Sequence, residues 1–395
     1  MSLACPNRHS FLLRGSSCVK AFNPRLVTRL MDKEMLAHTT YRNLEPPFQD
    51  LASVSPVVFS PNVDETRTKV AFGRWALPKL KREIYHEDIF EVMRALNSIY
   101  DLVHDPEKAY EAIRIGLVDR LTGLMLHERD FVREKVCLIF NEIAGIEAGK
   151  RAIIRRYKIL NNLALLLDDK VDSVKIKAQL VIETISQSPT AATGLNSADF
   201  LVLVLRLIGG TPKTENENVV ALQLATLKML LDRDVKVLAL KHNVMNILLE
   251  RLESKTEKIK ILALECIALL CHVAEGRAAG AELDLGLVLC KKLFDPSMAV
   301  RIKVAGALAF ATIQSDTRHK LCKPCTVDIL VEIMENFHSS EGQLMATKVL
   351  GNLSEDPEGK AMIKKMKKRI KAVFTNNDEL IDRHKNLLLN MLKKK

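Results

Sequence analysis

The residues that most resemble a chemical site are the two cysteines of Cys322-Lys-Pro-Cys325. A CxxC pair has the spacing of thiol redox centres and of half a zinc site. A redox centre of this type needs a βαβ setting, and a zinc site needs two further ligands. The chain has no second CxxC pair, and His319 and His338 do not stand at a compelling ligand spacing. We therefore interpret this segment as a turn between helices and predict no metal site.

The segment GIEAGKRA at 145–152 imitates a phosphate-binding loop. It lacks the four-residue gap between glycines and the Ser or Thr that should follow Lys150, and no strand is apparent before it. The chain contains no GxGxxG, HExxH or GxSxG segment, and no nucleophile is paired with an oriented base. The sequence therefore predicts a protein that is not an enzyme, with no catalytic residues, no cofactor and no small-molecule substrate.

The composition favours packed helices over sheets. The 395 residues are 48% hydrophobic but only 5% aromatic, and a core of Leu, Ile, Val and Ala with few rings suits helices. We predict no membrane span, because no run of about 18 uncharged apolar residues occurs. The eight cysteines are scattered, which is typical of reduced thiols in an intracellular protein rather than of a disulfide framework.

The net charge of +11 is carried by the two ends of the chain. Residues 364–395 hold eleven Lys and Arg against three acidic residues, and residues 1–60 hold seven against four. The basic run KKMKKRIK at 364–371 is compatible with a solvated helix face, a nuclear signal or a patch for an acidic partner. The acid-free opening up to residue 31 is similar to a mitochondrial presequence, although a solvated tail or an alternative start is favoured.

A pattern of about forty residues recurs along the chain. The seven segments that carry it begin, 40 to 45 residues apart, at the anchors Glu91, Val132, Val174, Val219, Ile259, Val300 and Gly342. Eight residues after each anchor stands a large apolar side chain: Ile99, Phe140, Ile182, Leu227, Ile267, Leu308 and Leu350. Four residues after each anchor the residue is small and apolar in all but one segment: Ala95, Val136, Ala178, Gln223, Ala263, Val304 and Ala346. These spacings place both residues on one face of a helix.

A second amphipathic segment precedes most anchors, and Gly, Asp, Pro and Ser separate the segments. A short first helix, an amphipathic second helix and a longer third helix within about 40–47 residues is the armadillo/HEAT pattern. We therefore predict an all-α fold, an armadillo/HEAT-like right-handed α-solenoid of about seven repeats. The predicted divisions are a disordered N-terminal extension at 1–60, a capping segment at 61–84, the repeats at 85–365 and basic C-terminal capping helices at 366–395.

The phrases HDPE at 104–107 and EDPE at 355–358 would mark the passage from one repeat to the next. An Asp before a helix can cap its first turn, and Pro suits the first helical position. We interpret these phrases as helix starts rather than as catalytic residues.

Partner-binding residues are expected on the solvent face of the third helices. Armadillo proteins that carry nuclear cargo place Trp and Asn six and ten residues after the anchor. This chain lacks that ladder, and its one tryptophan, Trp75, lies outside the repeats, so a nuclear-import adaptor is disfavoured. The candidate partner-binding residues are Asn97, Asp101, Glu142, Thr184, Glu265, Lys348 and Asn352 on the third helices, with Lys364, Lys365, Lys367, Lys368 and Arg369 in the tail.

Three segments carry a narrower resemblance: VDETRTKVAFGRWALPKLKREI (63–84), YDLVHDPEKAYEAIRIG (100–116) and AGALAFATI (305–313). They resemble the armadillo-repeat radial spoke proteins of motile cilia and flagella. The likeness spans roughly 63–366, whereas residues 1–60 and the basic tail depart from it.

The resemblance implies a non-catalytic structural scaffold of the axonemal radial spoke, bound to other radial spoke proteins in a large complex. It implies a cytoplasmic, cytoskeletal location in the axoneme of cilia or flagella, with no nucleic acid and no membrane as partner. The alternative is a general armadillo-repeat adaptor in signalling or nuclear traffic, because armadillo repeats alone indicate no more than a binding scaffold.

Overall fold

The computed structural model describes residues 71, 73–210, 216–231, 235–375 and 378–393. Within these ranges the chain forms one 3-10 turn, Gly73–Trp75, and 23 α-helices, with no strand. The predicted all-α solenoid is confirmed. The predictions for residues 1–60 lie outside the described part of the chain, as does most of the predicted capping segment before residue 73.

The chain divides into two compact units, Met1–Ile185 and Ser186–Lys395. The helices up to the division are α1 (Ala76–Glu83), α2 (Ile89–Val103), α3 (Pro106–Arg114), α4 (Leu117–Leu124), α5 (Asp130–Ala144), α6 (Glu147–Ile154), α7 (Tyr157–Leu166) and α8 (Asp172–Ser186). After it follow α9 (Pro189–Ser197), α10 (Phe200–Gly210), α11 (Glu217–Leu231), α12 (Lys236–Lys241), α13 (Val244–Arg251), α14 (Glu257–Cys271), α15 (Ala274–Glu282) and α16 (Leu285–Lys292). The last are α17 (Met298–Ala311), α18 (Ser315–Leu321), α19 (Pro324–Glu335), α20 (Ser340–Leu353), α21 (Pro357–Lys365), α22 (Lys367–Ala372) and α23 (Glu379–Met391).

From α3 onward the described helices fall into sets of three. The first helix of a set has 6 to 9 residues, as in α12 and α3, and the third has 13 to 15, as in α23 and α5. The third helices are α5, α8, α11, α14, α17, α20 and α23, and α2 precedes them as the third helix of an incomplete set. Within the first unit α2 packs on α5, and within the second unit α11, α14, α17, α20 and α23 pack on one another in that order.

The core of both units has the predicted register. Each side chain four and eight residues after an anchor is at most 1% exposed, including the polar Gln223. Small residues such as Ala263 and Ala346 let the next third helix approach closely, while Phe140 and Leu308 fill the layer between helices. The continuous burial of these two rows stabilises each unit.

The two acidic-Pro-Glu phrases start first helices, as predicted. The Asp105 carboxylate accepts the amide N–H of Glu107 at 2.9 Å, and Asp356 accepts that of Glu358 at 3.0 Å. Proline occupies the first turn of both helices, where its missing N–H costs nothing. The phrase recurs because the same helix start recurs.

A left-handed residue recurs between the first and second helices. Asp199, Asn243 and Asp284 have φ values of 58°, 56° and 51°, and each directly precedes a second helix. Asp and Asn tolerate this conformation better than other non-glycine residues. The turn therefore reverses the chain direction within very few residues.

Glycine allows the closest approach of one helix to another. A Cβ on Gly149 in α6 would lie 1.8 Å from the Ile143 carbonyl oxygen at the end of α5, and one on Gly359 in α21 would lie 2.3 Å from that of Leu353 at the end of α20. No side chain fits at such distances. The segment GIEAGKRA imitates a phosphate loop in sequence. Its second glycine, Gly149, is instead required where two helices cross.

The C-terminal region completes one more set of three helices. α22 and α23 follow α21 as second and third helices, and α23 packs on α20 as other third helices pack on their neighbours. The sequence-based boundary at residue 366 thus falls inside a set. Leu388 of α23 is 1% exposed, whereas four residues earlier His384 takes the place of the usual small residue, which hides the pattern in the sequence.

No single helix in the described ranges is long and apolar enough to cross a bilayer. The bent pair α9 and α10, with an angle of 79° between its helices, meets the criterion by length and composition when the two are taken together.

Candidate protein-binding surfaces

Four of the predicted partner-binding residues lie on the third helices of the first unit. Asn97 and Asp101 are exposed on α2, one turn apart. Glu142 on α5 contacts His104, with 3.1 Å between the Glu142 Oε2 atom and the His104 Nδ1 atom. The Thr184 hydroxyl on α8 donates to the Asn141 side-chain oxygen at 2.7 Å. Of the four predicted residues, two therefore link neighbouring helices and two face solvent.

A cation lies between two of these helices. The Lys135 ammonium stands 4.8 Å from the centroid of the Tyr100 ring, which is within cation–π range. Its attraction to the ring places one positive charge between α2 and α5.

In the second unit four charged residues form a ladder across four successive third helices. Lys228 of α11 binds Glu265 of α14 at 2.8 Å, and Lys303 of α17 binds the same Glu265 at 3.0 Å. Lys303 also binds Glu341 of α20 at 2.7 Å. Each charge in this charge ladder has a partner on the neighbouring helix.

The charge ladder changes the titration of its members. Burial opposes the ionisation of Glu265, but hydrogen bonds from Lys228 and Lys303 outweigh it and hold the pKa of Glu265 below its usual value. Burial likewise opposes the charge of Lys303, yet the two carboxylates raise its pKa. Glu265 is thus ionised and already paired, so a ligand would have to compete with two lysines.

Asn352 holds two third helices together. Its amide nitrogen donates to the Ala309 carbonyl at 3.0 Å and to the Thr312 hydroxyl at 2.9 Å, joining α20 to α17. Lys348, one turn earlier on α20, is half-buried near His384 of α23. Burial, with the charges of Lys348 and Arg383, lowers the pKa of His384. Lys348 thus lies close enough to His384 for its charge to oppose protonation of the imidazole.

The second unit also carries an apolar row ten residues after the anchor, which the candidate set did not include. Met229, Leu269 and Phe310 are half-buried on α11, α14 and α17. The Phe310 ring lies 4.0 Å from that of His272, centroid to centroid. The signal was present in the sequence, because three of the seven residues at this position are large and apolar.

The basic residues of the tail have two different roles. Lys364 and Lys365 end α21, Lys367 and Lys368 begin α22, and all four are exposed. Arg369 instead binds Glu335 of α19 through two nitrogens, at 2.9 and 2.7 Å. It therefore joins two second helices, whereas the lysines remain available to a partner.

The CxxC cysteines are in different environments. Cys322 is buried, and burial together with Asp356 raises the pKa of its thiol to about 11. Cys325 is exposed in the first turn of α19. Within the described ranges no three His, Cys, Asp or Glu side chains gather as metal ligands.

Comparison with known proteins identifies the type of repeat. No protein-family model matches the chain. An engineered protein of known crystal structure superposes with a TM-score of 0.71 at 17% identity, covering 81% of this chain and 79% of that protein. A designed armadillo repeat protein gives a TM-score of 0.52 at 19% identity, covering 60% of this chain and 99% of its own. This chain has an armadillo-like repeat fold.

A second designed armadillo repeat protein was solved in complex with the peptide (KR)4. It superposes with a TM-score of 0.54 at 18% identity and covers 60% of this chain and 99% of its own. At such identities the likeness establishes the fold alone. The armadillo-like repeats predicted from the forty-residue pattern are thereby supported.

Proposed function

We propose that this chain is a non-catalytic scaffold that binds segments of partner proteins along its third helices. The supporting observation is that each third helix has separate buried and solvent-facing rows of residues. Residues four and eight after the anchor are buried in both units, while those six and ten after it stay at least partly open to solvent. Within each unit, stacked repeats thus present a surface with one set of side chains per repeat, which suits an extended ligand.

The polar face of the first unit would take a basic segment. Asp101 is exposed, and Glu142 is half-buried beside it on the next helix. A basic peptide is the ligand of one designed armadillo repeat protein of similar fold. Asn97 would add hydrogen bonds to the peptide backbone, since an amide both donates and accepts.

We further propose that the partners are other radial spoke proteins and that the scaffold works in the axoneme of motile cilia or flagella. This finer proposal rests on the resemblance of residues 63–84, 100–116 and 305–313 to the radial spoke head 14 homolog. A binding scaffold with two distinct third-helix faces suits assembly in a complex of many subunits.

Localisation tests the radial spoke proposal. The tagged protein is expected along the axoneme of motile cilia and in the spoke fraction released from axonemes by salt. A diffuse or nuclear signal would contradict the proposal and favour a general armadillo adaptor.

Immunoprecipitation from isolated axonemes tests the binding face. Asn97→Ala with Asp101→Ala should lose at least one spoke subunit detected by mass spectrometry. The control is Glu128→Ala, which removes an exposed carboxylate in the turn between α4 and α5. If all partners stayed bound to the double variant, this face would not be the binding surface.

A further inference from the structure

Three exposed phenylalanines occupy the same place in three successive repeats. Phe294, Phe337 and Phe374 each follow the last residue of a second helix, after the C-caps Leu293, Asn336 and Val373. Their exposed fractions are 56%, 52% and 64%. The rings therefore form a row along the turns between second and third helices of the second unit.

The turn itself does not require an aromatic ring. The same position is held by Asp168 after α7 and by Glu253 after α13, both exposed. A carboxylate is thus compatible with this turn. Phenylalanine in three consecutive turns is a feature of the surface rather than of the fold.

The three turns are neighbours in space. The Gln343 amide nitrogen donates to the Met334 carbonyl at 3.0 Å and to the Phe374 carbonyl at 2.8 Å, which ties the last two turns together. Arg301 of α17 binds Glu332 of α19 at 2.9 Å and so links the first two repeats. The third helices that follow these turns, α17, α20 and α23, pack side by side, and packed helices lie about 8–10 Å apart.

Two acidic groups beside the row are engaged within the fold. Asp295 binds Lys260 at 2.7 Å, and Glu335 binds Arg369 at 2.7 Å. Burial opposes the ionisation of Asp295, but Lys260 and the Ser297 amide outweigh it and lower its pKa. Asp295 therefore stays charged, and both carboxylates are paired within the fold.

Lysines beside the rings have no such partner. Lys291 precedes Phe294 by three residues, Lys371 precedes Phe374 by three, and Lys367 precedes Lys371 by four. Lys291 and Lys371 thus lie close to a ring along the chain, and Lys367 lies one turn before Lys371 on α22. The three lysines are exposed, and none makes an ion pair with a described residue. The row is therefore apolar at its centre and positive at its margin.

We infer that the row of phenylalanines and its neighbouring lysines dock an amphipathic helix of a partner protein. That helix would carry apolar residues at heptad spacing and acidic flanks. The phenylalanine edge consists of Phe294, Phe337 and Phe374 with Lys291, Lys367 and Lys371. Seven residues of α-helix rise about 10.5 Å, close to the about 8–10 Å that separates packed helices in general, so three anchors of such a helix span about 21 Å. A row one ring wide fits a rod-shaped helix better than the flat surface of a bilayer. The lysines attract the acidic flanks of such a helix.

This surface is separate from the residues six and ten after the anchors, so it does not depend on the proposed binding face. Variants of the phenylalanine edge and of Asn97 with Asp101 therefore distinguish the two proposals.

A display library tests the inference. The library encodes acidic helices of about 21 residues with apolar residues in heptad pattern, and it is selected on the full-length protein. Selected helices should bind the triple variant F294E/F337E/F374E roughly thirtyfold more weakly or worse. They should also bind K291E/K371E several-fold more weakly, and their affinity should fall as salt rises.

Two controls keep the result interpretable. Phe90→Glu replaces a ring that is 70% exposed on α2 and should leave binding unchanged. Circular dichroism should show that the triple variant keeps its helical signal, since Asp168 and Glu253 already occupy this turn. If the triple variant unfolded, the single variant F294E would take its place in the comparison.

Three outcomes would overturn the inference. The first is that no selected helix distinguishes the wild type from the variant. The second is binding to vesicles of phosphatidylserine and phosphatidylcholine that the triple variant loses, which would make the edge a lipid-binding surface. The third is a dimer in sedimentation that the triple variant loses, which would make the edge a contact between copies of this chain.

Discussion

At the scale of single residues, glycine decides how closely successive repeats approach. Gly149 stands where the first helix of a set crosses the end of the preceding third helix, against the Ile143 carbonyl. Gly351 lies on α20, and a Cβ there would meet no atom within 4 Å. The helix crossing therefore requires glycine at Gly149, whereas no neighbouring atom requires it at Gly351.

This contrast predicts opposite effects of one substitution. Gly149→Ala should lower the free energy of unfolding by about 1–3 kcal/mol, because its methyl group overlaps a backbone carbonyl. Gly351→Ala should raise it by about 0.5–1 kcal/mol, since alanine favours the helix. Urea unfolding of both variants checks the prediction, and equal effects would contradict it.

At the scale of helices, the buried rows of the third helices carry the stability of each unit. Leu308 of α17 is fully buried, whereas Ala299 in the first turn of the same helix is exposed. A charge at Leu308 would be buried without a partner. At Ala299 it would face solvent near the positive end of the helix dipole.

Leu308→Asp should therefore cost several kcal/mol and reduce helical content and solubility. Ala299→Asp, with the same charge on the same helix, should leave the melting curve nearly unchanged. Thermal melts followed by circular dichroism measure both, and an unchanged curve for Leu308→Asp would refute the register.

Ion pairs between helices make stability depend on pH. Arg133 of α5 binds Asp169, which follows α7, at 2.8 Å, and both side chains are largely buried, with 13% and 9% exposed. Burial raises the pKa of Asp169, but the hydrogen bonds from Arg133 and the Val171 amide outweigh it, so the folded pKa lies below its usual value. The stabilisation is thus present above the unfolded pKa, about 3.9, and is lost as the pH falls through the folded value.

We expect the free energy of unfolding to fall as the pH decreases from about 5 towards 3. Asp169→Asn should cost about 3 kcal/mol at neutral pH and flatten this dependence, because the amide does not titrate. Denaturant unfolding across this range is the measurement. Asp172→Asn, at a side chain that is 60% exposed, should retain the wild-type slope, and the same flattening there would contradict the assignment.

The buried rows could be predicted from sequence because a helix repeats its faces every 3.6 residues. Ile99 and Leu350 show this at either end of the chain. The ion pairs could not be predicted, because the height of one helix against the next decides whether Lys228 meets Glu265. The last helix, α23, was predicted as a basic capping helix rather than as the third helix of a further set, because His384 interrupts the row of small residues.

Rows of exposed side chains could not be predicted from the periodicity, for a different reason. Phe294 and Phe337 add nothing to the buried pattern, and their common position becomes visible only when the helix ends are known. Likewise, the sequence placed Thr184 and Asn352 on the solvent face but could not reveal that their hydrogen bonds join neighbouring helices.

At the scale of the whole molecule, helices pack on helices of their own repeat and of the neighbouring repeats in their unit. α23 packs on α20 and, more lightly, on α22. In such proteins stability is nearly a sum over repeats and their interfaces. A defect in the last repeat should therefore open that repeat first.

Leu388→Asp, at a side chain that is 1% exposed, should abolish amide-exchange protection in α21–α23 while the first unit keeps its protection. Hydrogen exchange with mass spectrometry resolves the two regions. Leu387→Asp, at a neighbour that is 51% exposed, should leave protection intact. Loss of protection throughout the chain would show that the molecule unfolds as one cooperative body.

The charge ladder makes the repeats non-interchangeable. Its members stand at different heights on their helices: Lys228 nine residues after Val219, Glu265 six after Ile259, Lys303 three after Val300 and Glu341 one before Gly342. Recombination that deleted, duplicated or permuted one of these repeats would leave half-buried charges opposite the wrong neighbours. The ion pairs of the charge ladder thus fit only one order of these repeats. A genetic exchange that keeps the number of repeats but changes their order would separate these pairs and could therefore be selected against.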